Sequence, residues 1–236
     1  DVGVAALLFN TTKGSCANAN VRKALAHAMN RDDWCAIAQG CTPAYSMIAA
    51  SLPEYAGSAE QYPAYDLDMA KQLLEAEGYT AQNPLVLECY THMSETALES
   101  YQAILSTIGV TLNINNVGVA AYQDATASGN FDLLFSRYMN RTNVALEDLD
   151  YYAEGTSKNP TGFHNDEIDA LIATAKTSSD AAEIQTAFEE IQAIAAAELH
   201  MLPICTPMNY WAYSSALGNV VIRQNGMLSF YDITLQ

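Results

Sequence analysis

At 236 residues, 50% of them hydrophobic, the chain is long enough to bury a sizeable core and too apolar to be generally disordered. Its 27 acidic residues face only 10 Lys and Arg, and the net charge of −17 repels phosphate backbones, which excludes ordinary nucleic-acid binding. No apolar run approaches the roughly 20 residues of a membrane helix, and the opening Asp1-Val2-Gly3-Val4 does not read as a secretory leader, although a processed chain would look the same.

In chain order, the continuous apolar run Val4 to Phe9 predicts a buried strand. Asn18 or Asn20 can cap a helix that carries Val21, Leu25 and Met29 on one face. A short helix from about Asp32 to Gln39 stops at Gly40. The irregular stretch with Pro43, Pro53 and Pro63 is expected to pack across a neighbouring surface, since a loop that long needs a reason. Asp66 caps a helix with Ala70, Leu73 and Leu74 facing inward, closed by Gly78, and Leu85 to Tyr90 is a strand.

Ser94 is the expected cap of the next helix, with Met93 and Leu98 placed as a hydrophobic staple and Gly109 at its end. Val110, Leu112 and Ile114 then alternate as a half-buried strand. A helix over 119–128 and a strand over Phe131 to Phe135 follow. Helices start at Asn165 and Asp180, the second with a capping-box pattern to Glu183, and Met201 to Cys205 is strand-like. Strands alternating with helices predict an α/β layered domain with a mixed, mostly parallel sheet flanked by helices. No internal repeat appears.

The five cysteines cannot all pair within the chain. Cys35 and Cys41 could close a small loop, Cys89 and Cys205 could be neighbours, and Cys16 completes the set; free buried thiols are as reasonable. With no C-x-x-C and no Cys/His grouping at zinc spacing, neither a structural metal nor a cofactor is expected. None of His27, His92, His164 and His200 falls in a metal or triad spacing, and there is no G-x-S-x-G or phosphate-cradling glycine loop. The pair Asp148/Asp150 reads as solvated surface. Nothing supplies a nucleophile with its base, so no enzyme is expected.

Asn10-Thr11-Thr12-Lys13 followed by Val21-Arg22-Lys23-Ala24-Leu25-Ala26-His27-Ala28-Met29-Asn30-Arg31 resembles the family 5 extracellular solute-binding proteins, which include dipeptide, oligopeptide and nickel receptors of ABC importers. The resemblance runs on in order through Tyr65-Asp66…Leu73-Leu74…Gly78-Tyr79, Ile108-Gly109-Val110, Gly129-Asn130-Phe131-Asp132-Leu133, Gly162-Phe163-His164-Asn165 and Leu202-Pro203-Ile204. It implies one α/β lobe, over 1–236, of a type II periplasmic-binding-protein-like fold, with a first lobe absent and 207–236 crossing towards it. It also implies an extracytoplasmic protein, periplasmic or a lipoprotein held at the cell surface, that delivers peptides or a related solute to the membrane subunits of an ABC importer. A sensor or protein-interaction module that keeps the receptor fold is the alternative.

In open α/β sheets ligands sit beyond the carboxyl ends of strands. Two such exits provide the candidate ligand-binding residues: Tyr90, Thr91 and His92 after one strand, and Arg137, Tyr138, Met139, Asn140, Arg141 and Asn143 after another. Guanidinium groups suit carboxylate or phosphate, unless Arg137 and Arg141 simply pair with Glu147, Asp148 or Asp150. In peptide-binding members of the family an acidic residue, usually just after a Trp, meets the ligand ammonium. Here Arg137 stands where the Trp would lie, and Asn140 and Asn143 stand where acids would be expected. An anionic or neutral small solute is therefore expected at least as much as a free peptide.

Overall fold

The computed structural model describes residues 3–140, 142–208, 210–223 and 228–235. Six strands form the central sheet: β1 (Gly3–Phe9), β2 (Cys41–Pro43), β3 (Leu85–Thr91), β4 (Val110–Asn116), β5 (Leu133–Met139) and β6 (Met201–Pro207). Their order is β2-β6-β1-β5-β3-β4. β3 is parallel to both β4 and β5, while β1 is antiparallel to β5 and β6, and β2 to β6. Strands β3, β4, β5 and β6 thus run one way and β1 and β2 the other, the mixed and mostly parallel sheet that the alternation of elements predicts.

β1 is buried along its whole length because it lies inside the sheet with layers on both faces. Ala5, Leu7 and Phe9 enter one core and Val4, Ala6 and Leu8 the other. The first core takes helices α1 (Ala19–His27), α2 (Arg31–Ala38), α3 (Leu67–Ala76) and α4 (Thr96–Thr107). The second takes α6 (Asp166–Thr177) and α7 (Ala181–Glu198), with Tyr122 of α5 (Val119–Ser128) packed at its margin. The proline-bearing stretch after β2 covers this second face. Ala44, Met47, Ile48 and Ala49 are buried there, and Gln192 of α7 accepts from Ala56 N–H at 2.9 Å.

Local chemistry sets the helix ends. Asn18, Asn30, Asp66, Asn165 and Asp180 each accept backbone N–H groups of the first turn that the helix itself leaves unpaired. Arg22 explains its place inside an apolar helix: its guanidinium donates to the carbonyls of Glu198, Cys16 and Ala17 at 2.8–3.2 Å, tying α1 to the carboxyl end of α7. Tyr101 of α4 donates to Leu25 O at 2.7 Å and locks α4 to α1.

Several expectations need correction. β5 runs four residues past Phe135, so Ser136 to Met139 are strand residues rather than a loop beyond it. Antiparallel pairing with β1, down to Gly3 against Met139, supplies the hydrogen bonds that carry the strand on, and no local sequence signal reports that pairing. The residue at the start of α4 is Glu95, not Ser94. Asp148 is buried at 1% exposure rather than solvated, because a seven-residue 3-10 segment, Ala145–Tyr151, folds it under the sheet edge. Cys89 and Cys205 are not neighbours, since β1 and β5 lie between their strands.

Candidate functional site

The carboxyl ends of β3, β5 and β6 and the first residue of β1 meet at one edge of the sheet. The two faces of β5 divide its exit into different chemistries. Arg137 lies on the α4 face, where Nη2 donates to Glu95 Oε2 at 2.9 Å. The Glu95 side chain is only 8% exposed, while that of Arg137 remains 40% open. Arg137 is therefore a guanidinium fixed at its inner side by a sheltered carboxylate and presented to solvent at the sheet edge. Its partner is none of the acids of the following loop. Glu147 instead accepts through its carbonyl from Lys158 Nζ at 2.6 Å, and Asp150 meets Lys176 at 3.7 Å.

Tyr138 points to the opposite face, into a bank of rings. It stands edge-on to Tyr151 at 5.6 Å between centroids, and its hydroxyl lies 3.4 Å from that of Tyr122. Tyr122 is in turn edge-on to His92 at 4.7 Å. Burial pushes the phenols of Tyr122, Tyr138 and Tyr151 up, so all three stay neutral hydrogen-bonding groups. His92 Nδ1 is buried without a protein partner, a polar atom that the fold leaves available.

The remaining candidates separate by use. Thr91 is fully buried, and its hydroxyl closes a turn with Met93 N–H and O at 3.1 and 3.3 Å. Asn140 is buried, donating to Val144 O at 3.1 Å and Asp148 Oδ2 at 2.9 Å while its own oxygen accepts from Thr142 and Asn143 N–H. Its amide thus shapes the loop. Asn143 adopts a left-handed φ of 59°, which Asn tolerates. Met139 is exposed at the edge. Tyr90 is half-buried on the Tyr138 face and lines an open depression of about 290 Å³ with Lys13, Glu88 and Asp132, towards the other end of β5. Arg141 lies outside the described residues.

Asp148 anchors the loop from below. Its carboxyl is pushed up to about 6, chiefly by burial, against hydrogen bonds from Asn140 and the Ala49 backbone. Sequence reasoning missed Glu95, Tyr122 and Tyr151. Glu95 reaches the β5 exit through the parallel β3–β5 pairing, Tyr122 through the packing of α5, and Tyr151 through the 3-10 segment that folds back after β5. The density of Tyr in the chain, 14 in all, was the available signal.

The fold is that of the type II periplasmic binding proteins. A dipeptide binding protein from Pseudoalteromonas sp. SM9913, solved in complex with Met-Leu, matches all of this chain at a TM-score of 0.87 and 20% identity, the match covering 49% of that protein. The unliganded open form of the murein tripeptide binding protein MppA matches 88% of the chain at a TM-score of 0.79 and 26% identity, over 42% of its own length. The profile of the family described as bacterial extracellular solute-binding proteins, family 5 Middle, matches residues 1–160, and the chain belongs to that family. The periplasmic murein peptide-binding protein MppA of Escherichia coli K12 is 29% identical over 181 residues, 72% of this chain and 34% of that protein. The chain therefore spans only about a third to a half of the length of these relatives.

Proposed function

We propose that this chain is the second, ligand-binding lobe of an extracytoplasmic solute-binding protein, periplasmic or lipid-anchored, that hands a peptide or a related anionic or neutral solute to an ABC importer. Family membership across residues 1–160 is the observation that carries this reading. The region after β6 supports it: Tyr210, Trp211, Tyr213, Phe230 and Tyr231 are 47–95% exposed, an apolar surface suited to cover by a further lobe. The Arg137–Glu95 pair and the His92–Tyr122–Tyr138 bank would form this lobe's wall of the ligand cleft. Among the described residues no helix is long and apolar enough to cross a membrane.

The test is thermal stabilisation of the two-lobed protein by a panel of di- to oligopeptides and of small anionic and neutral solutes. A ligand at about 100 times its Kd stabilises by about 2.7 kcal/mol. Saturable stabilisation by one solute class is the expected result. Stabilisation by no solute, together with binding to another protein, would replace this reading by that of an interaction module.

A further inference from the structure

One cluster of reactive groups is not used by the ligand edge. Cys35 of α2, Cys41 of β2 and Cys205 of β6 come from three different elements, Cys205 far along the chain from the other two, yet their sulfur atoms all lie within 4.8 Å of one another. The fold builds this meeting deliberately in backbone terms. Cys41 lies opposite Pro207 on the antiparallel β2–β6 pair, so Cys205 is its diagonal neighbour on the same face. Helix α2 lies on that face, and after it Gln39 and Gly40 take positive φ values of 50° and 79°, turning the chain back so that Cys41 reaches Cys35. Gln39 in that conformation is strained, and the strain serves this return.

From this geometry we infer that Cys35, Cys41 and Cys205 form a three-thiolate site for one thiophilic metal cation of the zinc(II) or copper(I) class. Sulfurs bound to one such ion at about 2.3 Å stand roughly 4 Å apart, so the sulfurs need shift by less than about 1 Å to close around it. Cys205 is 3% exposed, whereas Cys35 and Cys41 are half-exposed, giving the ion a buried floor and leaving a solvent-facing coordination position. All-sulfur ligation selects soft ions over magnesium or calcium. The guanidinium of Arg31, 7% exposed and with Nη2 lacking a hydrogen-bond partner, acts on Cys35 and offsets part of the thiolate charge.

The site also adjoins the ligand edge. Cys205 pairs with Ala5, and Ala5 with Arg137, which places Cys205 and Arg137 two strands apart, about 10 Å, in one row. In an oxidising compartment the competing fate is a disulfide. A disulfide would join two of the sulfurs and leave the third without purpose; a single cation uses all three.

The experiment titrates the reduced protein with cadmium(II), then displaces it with zinc(II), reading the thiolate-to-cadmium charge-transfer absorption. One equivalent should saturate the band. Cys41→Ser, at a half-exposed position, should weaken binding by more than the roughly 10–100-fold that loss of an outer-shell partner brings. Cys205→Ser should do the same, while Cys89→Ser, on the far side of β1 and β5, should leave the band intact. If Cys205→Ser fails to fold, Cys41→Ser alone decides. No saturable band, a band that survives Cys41→Ser, or a Cys35–Cys41 disulfide in protein isolated without reductant would each overturn the assignment.

Discussion

Replacing Asp148 by Asn tests the reasoning about the loop that carries Asn140 and Asn143. The ordinary value for this carboxyl is 3.8, and burial raises it to about 6 in the fold. Between these values the native state holds a proton that the unfolded chain has released, so Asp148 makes stability fall as pH rises. At about 1.4 kcal/mol per pH unit, the charged form costs the fold on the order of 3 kcal/mol by pH 7. His200 acts in the opposite sense. Fully buried, stacked on Phe163 at 4.1 Å, it is lowered from 6.5 to about 3, so the unfolded chain holds the extra proton and stability rises with pH over that range. Between about pH 4 and 6 the two slopes offset one another in the unmodified chain. In the Asp148→Asn variant only the His200 slope remains, and stability should climb by about 1.4 kcal/mol per pH unit through that window. An amide oxygen can still accept from Asn140, so the loop contact survives the change. Urea denaturation at half-unit intervals from pH 4 to 7.5 measures both profiles. Parallel profiles, offset by a constant amount, would refute the claim that Asp148 is charged at a cost at neutral pH.

Other expected outcomes are more local. Arg137→Ala and Glu95→Ala in a double-mutant cycle should give a coupling of only about 0.2–1 kcal/mol, because the guanidinium is partly open to water, and 1 M salt should shrink it. In the two-lobed protein, Arg137→Ala combined with Arg141→Ala should weaken an anionic solute by about tenfold or more by calorimetry, the equivalent of about 1.4 kcal/mol; unchanged affinity would return both arginines to a surface role. Gly162→Ala should destabilise by about 1–3 kcal/mol in thermal unfolding, since φ is +74° and a Cβ would stand 2.5 Å from the Thr12 side chain. Tyr101→Phe should cost about 1–3 kcal/mol, because it leaves the buried carbonyl of Leu25 without its donor.

What could be read in the sequence divides along physical lines. Helices α1, α3, α6 and α7 were legible because a capping residue and an apolar period of about 3.6 are local signals, and Asn18, Asp66, Asn165 and Asp180 do cap as their positions predict. The order of family motifs carried the α/β class further than composition could. The candidate site was half legible. The exits of β3 and β5 were located, but the inward and outward sorting of Arg137 and Tyr138 depends on β5 continuing to Met139, which pairing with β1 decides. The partner of Arg137 illustrates the same limit: Glu147 was near in sequence, whereas Glu95 comes near only because β3 and β5 are parallel neighbours.

The thiol trio shows why residue spacing cannot report a cluster whose members come from different layers. Cys35 and Cys41 are six residues apart and could be paired from the sequence, but the third sulfur arrives 164 residues later, on β6. No periodicity links a helix, an edge strand and a strand laid down after most of the chain has folded back. Such a site is specified by topology: α2 lies on the face of β2–β6 on which Cys41 and Cys205 are diagonal neighbours. Arg137 and Cys205 are in register through Ala5 on one face of the sheet, and the bank of neutral phenols lies on the other. Three thiolates around zinc(II) carry a net charge of −1, and around copper(I) −2, so a loaded site would add no positive charge to that of Arg137, about two strands away.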